Sequence, residues 1–348
     1  MPEVTHQQQT QAAISSFFTR NNLSPSDHTS CYTLLTQLYP NQSIVPIRTQ
    51  GFCSLSLLVG SQQIVQFRPK PYALDPTVTS LASETYPQYA PTTKHLATLP
   101  SSGLLVYSMS LIPGTSLQDL RNSNLSQNRP IPLGILRNLC ISFAHFHTHS
   151  WQHQQPRPST PGRVGSTLQP RLQSLHTSLP PRFRPLTSKL LAHLPRITSL
   201  LPWTLTHGDL LPGNIMLSPA SGHLTGLVDW AESEILPFGM SLYGLEELLG
   251  YPVPATSTTA AKFIYHLRSA ELRELFWKTL LDGIPELKQH EDMRECVGMA
   301  RDLGVLLWFG IAFDGGRIDR VVQEGRDGLE IARLDAFLNA ERGLDARL

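Results

Sequence analysis

The sequence predicts an α+β protein of two lobes, a small β-rich lobe followed by a larger, mainly helical one. Strand-like apolar runs lie between residues 45 and 112, whereas apolar residues at helical spacing dominate from about residue 133 onward. The dipeptide Pro113–Gly114 ends the last predicted strand and marks the boundary. The predicted segments are a helical lead-in over 1–44, the small lobe over 45–113 and the helical lobe over 114–348.

The lead-in and the small lobe are predicted from apolar spacing and from turn residues. Helical spacing of Ile14, Phe17 and Phe18, and again of three leucines near residue 35, predicts two short helices. Gly60–Ser61 separates two runs rich in apolar residues, which predicts a β-hairpin with Gly51 in or beside its first strand. A short helix over 75–86 and a buried strand over 103–112 complete this lobe.

The helical lobe is predicted to contain one loop-and-hairpin region. A helix begins near Leu133, and a second helical stretch over 172–194 is interrupted by prolines. Residues 154–170 between them are rich in Pro, Ser, Gly and Arg and predict an exposed loop. Residues 203–230 predict a loop followed by a hairpin, and 243–340 are again mostly helical with breaks near Pro252–Pro254 and Asp314–Gly316.

Composition argues against several classes of protein. Among 348 residues, 28 Lys and Arg balance 27 Asp and Glu, so the formal net charge is only +1. Nucleic-acid binders usually carry a marked basic excess, and we therefore expect no nucleic-acid partner. No apolar stretch is long enough to span a membrane and no secretory signal is visible. The four cysteines form no C-x-x-C pair, which favours reduced thiols in a cytoplasmic protein.

The segment that carries chemistry runs from His207 to Asp229. It contains H-x-D-x-x-x-x-N, made by His207, Asp209 and Asn214, which is the pattern of a phosphoryl-transfer catalytic loop. A carboxylate at Asp209 can accept the proton of an attacking hydroxyl. The amide oxygen of Asn214 and the carboxylate of Asp229 are hard oxygen ligands suited to Mg²⁺. We expect the hairpin to bring Asp229 back beside Asn214.

With these residues the chain resembles the aminoglycoside phosphotransferase family, whose fold is similar to that of protein kinases. More narrowly, it is similar to a fungal branch of that family. The resemblance covers roughly 45–340 and includes, besides the His207-to-Asp229 core, Gln50–Ser54, Val65–Arg68, Asp229–Ser233, Leu236–Gly239 and Gly315–Arg320.

The resemblance implies a bilobal protein-kinase-like fold and an ATP- and Mg²⁺-dependent kinase that acts on a hydroxyl of a small molecule. Asp209 would be the catalytic base, and Asn214 and Asp229 the metal ligands. Arg68 stands where relatives carry the phosphate-binding lysine, and the backbone of the inter-lobe segment would bond the adenine. The implied nucleotide-binding residues are Gly51, Phe52, Cys53, Ser54, Arg68, Ser110 and Ile112.

Several alternatives stay open at this point. The acidic partner of Arg68 is Glu84, Asp75 or no residue at all. The kinase fold could be catalytically inactive and serve as a binding or scaffold protein, or it could transfer a nucleotidyl group. The sequence indicates neither the acceptor nor the oligomeric state.

Three further predictions concern side chains outside this constellation. We expect His207 to hold backbone rather than to take part in chemistry, and His145 and His149 to be ordinary surface or packing residues. We expect Glu246 and Glu247 to lie on a solvated helix face.

Overall fold

The computed structural model describes residues 6–127, 129–159 and 162–339. The chain forms two compact units, Met1–Ile112 and Pro113–Leu348.

The first unit is built on a five-stranded antiparallel sheet. Its strands are β1 (Ile44–Pro46), β2 (Leu55–Val59), β3 (Gln63–Arg68), β4 (Thr93–Thr98) and β5 (Leu105–Ser110), and its α-helices are α1 (His6–Arg20), α2 (Pro25–Leu38) and α3 (Pro76–Thr85). The order across the sheet is β1-β2-β3-β5-β4. The β2–β3 hairpin is the one that Gly60 predicts, and this glycine adopts a φ of 61°, which is in the left-handed region that favours glycine.

The lead-in helices belong to the first unit. Ser24 caps α2 by accepting from Asp27 N, and the Asp27 side chain accepts from Ser24 N, so the two residues form a capping box. Phe17 of α1 and Leu35 of α2 are 1% and 0% exposed and lie in one hydrophobic core with residues of β2, β3 and β5. Helices α1 and α2 of the predicted lead-in are therefore packed into the same core as the sheet. Apolar side chains that have no core of their own must be buried against another element.

The second unit is mainly helical. Its helices are α4 (Leu117–Ser126), α5 (Leu133–Gln152), α6 (Leu168–Ser178), α7 (Arg184–Leu200), α8 (Gly244–Leu249), α9 (Ser269–Gly283), α10 (Pro285–Gln289), α11 (Glu291–Phe309) and α12 (Gly328–Asn339). Its strands are β6 (Thr115–Ser116), β7 (Trp203–Thr206), β8 (Ile215–Leu217), β9 (Leu224–Leu227), β10 (Glu234–Pro237), β11 (Gly250–Val253), β12 (Lys262–Tyr265), β13 (Ile311–Asp314) and β14 (Arg317–Val321). None of the described helices is long and apolar enough to cross a membrane.

Two small sheets position the loop that carries the sequence motif. β7 pairs with β10, and β8 pairs with both β6 and β9, so the 207–214 loop runs from one sheet to the other. The breaks predicted within 243–340 turn out to contain two further hairpins, β11–β12 and β13–β14. Their strands have only four or five residues each, which is too short to show a clear alternation in sequence.

The prediction of a solvated face at Glu246 and Glu247 is wrong. These residues of α8 are 1% and 0% exposed. Glu246 accepts hydrogen bonds from Arg273 at 2.8 Å and from Arg301 at 3.0 Å, while Glu247 accepts from Arg333 at 2.6 Å. Charged residues are rarely buried unless they are paired, and here the partners lie on three other helices.

Candidate active site

The 207–214 loop is a tight turn closed by its own side chains. The Asn214 amide donates through Nδ2 to Asp209 Oδ2 at 2.7 Å and to Asp209 O at 2.9 Å. Gly208, at a φ of 78°, lies against the backbone of Glu232, where a side chain would not fit. The spacing of five residues between Asp209 and Asn214 therefore brings the two side chains into direct contact.

Asp229 returns to the same loop, as the sequence predicts. The preceding residue, Val228, donates its N–H to Asn214 O at 3.0 Å. Asp229 itself has a φ of 63° and a ψ of 67°, a left-handed conformation that is uncommon for a residue with a side chain. Residues held in such conformations cluster at active sites and ligand clamps. Asp209, Asn214 and Asp229 therefore form one constellation in the second unit.

His207 holds the backbone around these acids, which confirms the structural role predicted for it. Its Nδ1 accepts from Asp209 N at 3.2 Å, so the ring proton is on Nε2, which donates to Val228 O at 2.9 Å. The ring contacts Trp230 edge to face at 4.7 Å between centroids. Burial lowers the pKa of His207 to about 4, so the ring is neutral at physiological pH.

The electrostatics of the loop centre on Asp209. Burial, with the nearby charge of Asp229 as the next contribution, raises the pKa of its carboxyl to about 7. Hydrogen bonds from Asn214 and from Trp308 act in the opposite direction, and Glu232 adds a smaller repulsion. A carboxylate with a pKa near 7 is far more basic than a solvated one, which matches what a general base at neutral pH requires.

Sequence reasoning missed two aromatic residues beside Asp209. Trp308, near the end of α11, hydrogen bonds with Asp209 and stacks on Tyr243 at 5.3 Å between ring centroids. The Tyr243 hydroxyl accepts from Leu210 N at 3.0 Å, so it holds the backbone of the 207–214 loop next to Asp209. Trp308 lies about a hundred residues from the motif, and no local pattern in the sequence could have indicated this contact.

The predicted nucleotide loop lies between β1 and β2 of the first unit. Its base is closed by Gln50, whose amide donates to Ile47 O at 2.9 Å and Ser56 O at 2.8 Å and accepts from Ser56 N at 2.9 Å. Gly51 is exposed, and an added Cβ would meet only Ser54 Oγ at 3.9 Å. The Phe52 ring contacts Tyr72 edge to face at 6.1 Å between ring centroids.

Arg68 is the last residue of β3 and is only 2% exposed. Because Phe67 pairs with Leu55, Arg68 and Ser54 lie at the same end of the β2–β3 hairpin, so the structure brings Arg68 to the predicted loop. The pairing of Arg68 with one of the two proposed acids stays a prediction. Asp75 caps α3 by accepting from Thr77 N at 2.8 Å, and Glu84 is exposed on the same helix.

The two predicted adenine contacts lie at the end of the first unit. Ser110 donates its N–H to Thr92 O at 3.0 Å, and its hydroxyl oxygen accepts from Thr92 N at 3.0 Å. Of its backbone groups, the carbonyl is therefore the one that a ligand could use. Ile112 is buried and is the last residue of the unit.

Comparison with known families and structures agrees with this geometry. The model of the phosphotransferase enzyme family (APH) matches residues 86–242, which include Asp209, Asn214 and Asp229. No protein of curated function matches the sequence.

The chain shares the kinase-like fold of solved APH structures. It is similar to the GDP complex of aminoglycoside 2'-phosphotransferase-IIIa, with a TM-score of 0.54, 13% identity, and coverage of 82% of this chain and 91% of that one. It is also similar to the GDP and kanamycin complex of APH(2")-IIIa, with a TM-score of 0.50, 13% identity, and coverage of 80% and 90%. At this level of identity the likeness establishes the α+β kinase-like fold alone.

Proposed function

We propose that this protein is an ATP- and Mg²⁺-dependent phosphotransferase that transfers the γ-phosphoryl group to a hydroxyl of a small molecule. The single observation that carries the proposal is the constellation of Asp209, Asn214 and Asp229. One carboxyl is held by an amide at 2.7 Å, has a pKa of about 7 and lies within the field of a second carboxylate. The match of residues 86–242 to the model of the APH family supports the same reaction class.

The donor set fits a magnesium ion. The Asn214 nitrogen is used on Asp209, which leaves the amide oxygen as the candidate ligand beside the Asp229 carboxylate. The repulsion between Asp209 and Asp229 is a charge imbalance that a divalent cation would relieve. When bound, Mg²⁺ would neutralise phosphate oxygens of the nucleotide.

Asp209 would act on the acceptor. Its carboxylate accepts a hydrogen bond from the acceptor hydroxyl and orients the oxygen for in-line attack on the γ-phosphorus. The hydroxyl proton passes to the carboxylate, the new O–P bond forms, and ADP leaves with the electrons of the broken bond. The hydrogen bonds from Asn214 and Trp308 fix the direction of the carboxylate.

Phosphate binding would be the task of the first unit. Arg68 would supply positive charge and a fork of donors, and the backbone of Gly51, Cys53 and Ser54 would approach the phosphates. The carbonyl of Ser110 and the N–H of Ile112 would hold the base. The acceptor is expected to be a small hydroxyl compound, as kanamycin is in the complex with APH(2")-IIIa.

The test is titration of the purified chain with ATP and with GTP, each with and without Mg²⁺, followed by an assay of nucleoside diphosphate release. We expect magnesium-dependent binding that Asp229→Asn weakens. Asp209→Asn should retain binding and lose at least about 10²-fold in turnover. Asp292→Asn, the same change at an exposed acid, is the matched control and should behave as the wild type.

Two results would contradict the proposal. Undiminished turnover in Asp209→Asn would show that Asp209 takes no part in the chemistry. If no nucleotide bound to the wild type, the kinase fold would be a binding or scaffold protein instead, and release of AMP rather than ADP would indicate nucleotidyl transfer.

A further inference from the structure

The predicted nucleotide loop contains one glycine, Gly51, between Gln50 and Ser54. Loops that cover phosphates usually gain their shape from several glycines, which let the backbone approach the ligand closely. Here side chains shape the loop instead. Gln50 closes its base through three hydrogen bonds, and the remaining question is what fixes its tip at Phe52.

The tip is held by Arg20, the last residue of α1. Arg20 Nη2 donates to Phe52 O at 2.7 Å, and the guanidinium carbon lies 3.8 Å from the centre of the Phe52 ring. One side chain thus contacts both the backbone and the side chain of the same loop residue. Arg20 Nη1 donates to Ser16 Oγ at 3.1 Å one turn earlier, which orients the guanidinium.

The helix that carries Arg20 is anchored by its apolar face. Ile14, Phe17 and Phe18 of α1 are 3%, 1% and 8% exposed in the core of the first unit. A second contact from the same helix reaches the start of the loop, because Thr10 Oγ1 donates to Arg48 O at 2.8 Å. The helix therefore holds two carbonyls, one just before the loop at Arg48 and one at its tip at Phe52. Phe52 also contacts Tyr72, which lies four residues beyond Arg68, the last residue of β3.

We propose that α1 braces the nucleotide loop and that Arg20 is a positioning residue for nucleotide binding. This inference rests on the proposed function for its consequence, because the loop must bind phosphate for its position to matter. The cation holds the Phe52 carbonyl and ring, so the amides of Gly51 and Cys53 on either side are presented in one arrangement. Pre-organising a loop lowers the entropy that a ligand must remove when it binds.

The test compares wild type, Arg20→Met, Arg20→Lys and Arg137→Met as full chains. Arg20→Met keeps the apolar stem but loses the charge and the donors. It should raise the Kd for Mg²⁺·ATP about tenfold, which corresponds to a part of what an exposed cation–π contact and one charged hydrogen bond are together worth, because only their effect on the order of the loop reaches the ligand. The KM for the nucleotide should rise while kcat changes less than twofold. Arg20→Lys should lie between, and Arg137→Met, which breaks a surface ion pair with Glu271 in the second unit, should match the wild type.

Amide hydrogen exchange of residues 47–56 gives a readout that does not depend on activity. Exchange there should be faster in Arg20→Met than in the wild type and unchanged in Arg137→Met. If amide exchange is unchanged in Arg20→Met, α1 does not brace the loop. If the wild type binds nucleotide and the Kd of Arg20→Met is within twofold of the wild-type value, Arg20 does not position the loop for binding. If the wild type itself binds none, the proposed function fails, and the exchange data alone decide whether α1 holds the loop.

Discussion

Replacing Asp209 with Asn should stabilise the second unit at neutral pH while it abolishes catalysis. The pKa of this carboxyl is about 7 in the folded protein, against 3.8 for an unperturbed aspartate. Because the folded-state pKa is raised, the folded state disfavours the ionised form. The penalty is absent below pH 3.8, grows as pH rises through that value, and is complete above pH 7. Asparagine has the same shape, still accepts from Asn214, and does not ionise.

The magnitude follows from the size of the shift. About three units at ~1.4 kcal/mol each set an upper limit of about 4 kcal/mol. The Asp209 residue is only half-buried, and solvent screens part of the effect, so we expect Asp209→Asn to be more stable than the wild type by about 2 kcal/mol at pH 8. The difference in free energy of unfolding between the two proteins should shrink toward pH 4.

The assay is urea unfolding in EDTA between pH 4 and pH 8, followed by tryptophan fluorescence. All five tryptophans lie beyond residue 113, so the signal reports the second unit alone. Millimolar Mg²⁺ should stabilise the wild type more than the variant, because the cation offsets the repulsion between Asp209 and Asp229. The stabilisation by Asp209→Asn should also be smaller in an Asp229→Asn background. A stability difference that stays flat from pH 4 to pH 8 would refute the reasoning.

Two further predictions concern buried charge elsewhere in the second unit. Burial lowers the pKa of His147 to about 3, below the 6.5 of an exposed histidine, so the wild type should lose stability as pH falls below 6.5. His147→Leu should remove about 2 kcal/mol of that loss between pH 7.5 and pH 5, and an unchanged pH dependence of the urea midpoint would contradict this. Glu246→Gln should cost about 3–5 kcal/mol, because it leaves Arg273 and Arg301 buried without their shared carboxylate. The matched change Glu271→Gln, at an exposed ion pair, should cost less than about 1 kcal/mol of unfolding free energy. Equal losses of unfolding free energy in the two variants would contradict the role given to the buried Glu246.

The constellation of Asp209, Asn214 and Asp229 was predictable because most of it is local in sequence. Asp209 and Asn214 are five residues apart on one turn, and a single hairpin returns Asp229 to them. The hairpin of β2 and β3 was likewise readable, because Gly60 marks its turn. In both cases short-range chemistry sets the geometry, and the rest of the fold has only to accommodate it.

What the sequence did not reveal depends on contacts between distant segments. Glu246 and Glu247 look like a solvated pair because charged residues usually lie at the surface, yet Arg273 and Arg301 lie 27 and 55 positions away from Glu246 and bury it. Trp308 is another example, because nothing near it in sequence indicates Asp209. The burial of the lead-in helices is a third example, since the core that buries Phe17 includes residues of strands later in the chain.

The structure also explains how the carboxyl groups of Asp209 and Asp229 are held near each other. Two carboxyl groups that repel each other would relieve the strain by moving apart if the backbone allowed it. His207 prevents this, because one neutral ring accepts from Asp209 N and donates to Val228 O, the residue immediately before Asp229. Burial keeps that ring neutral, and a protonated ring would lose the bond to Asp209 N. The histidine of the motif thus acts as a clamp between the segments that carry the two acids.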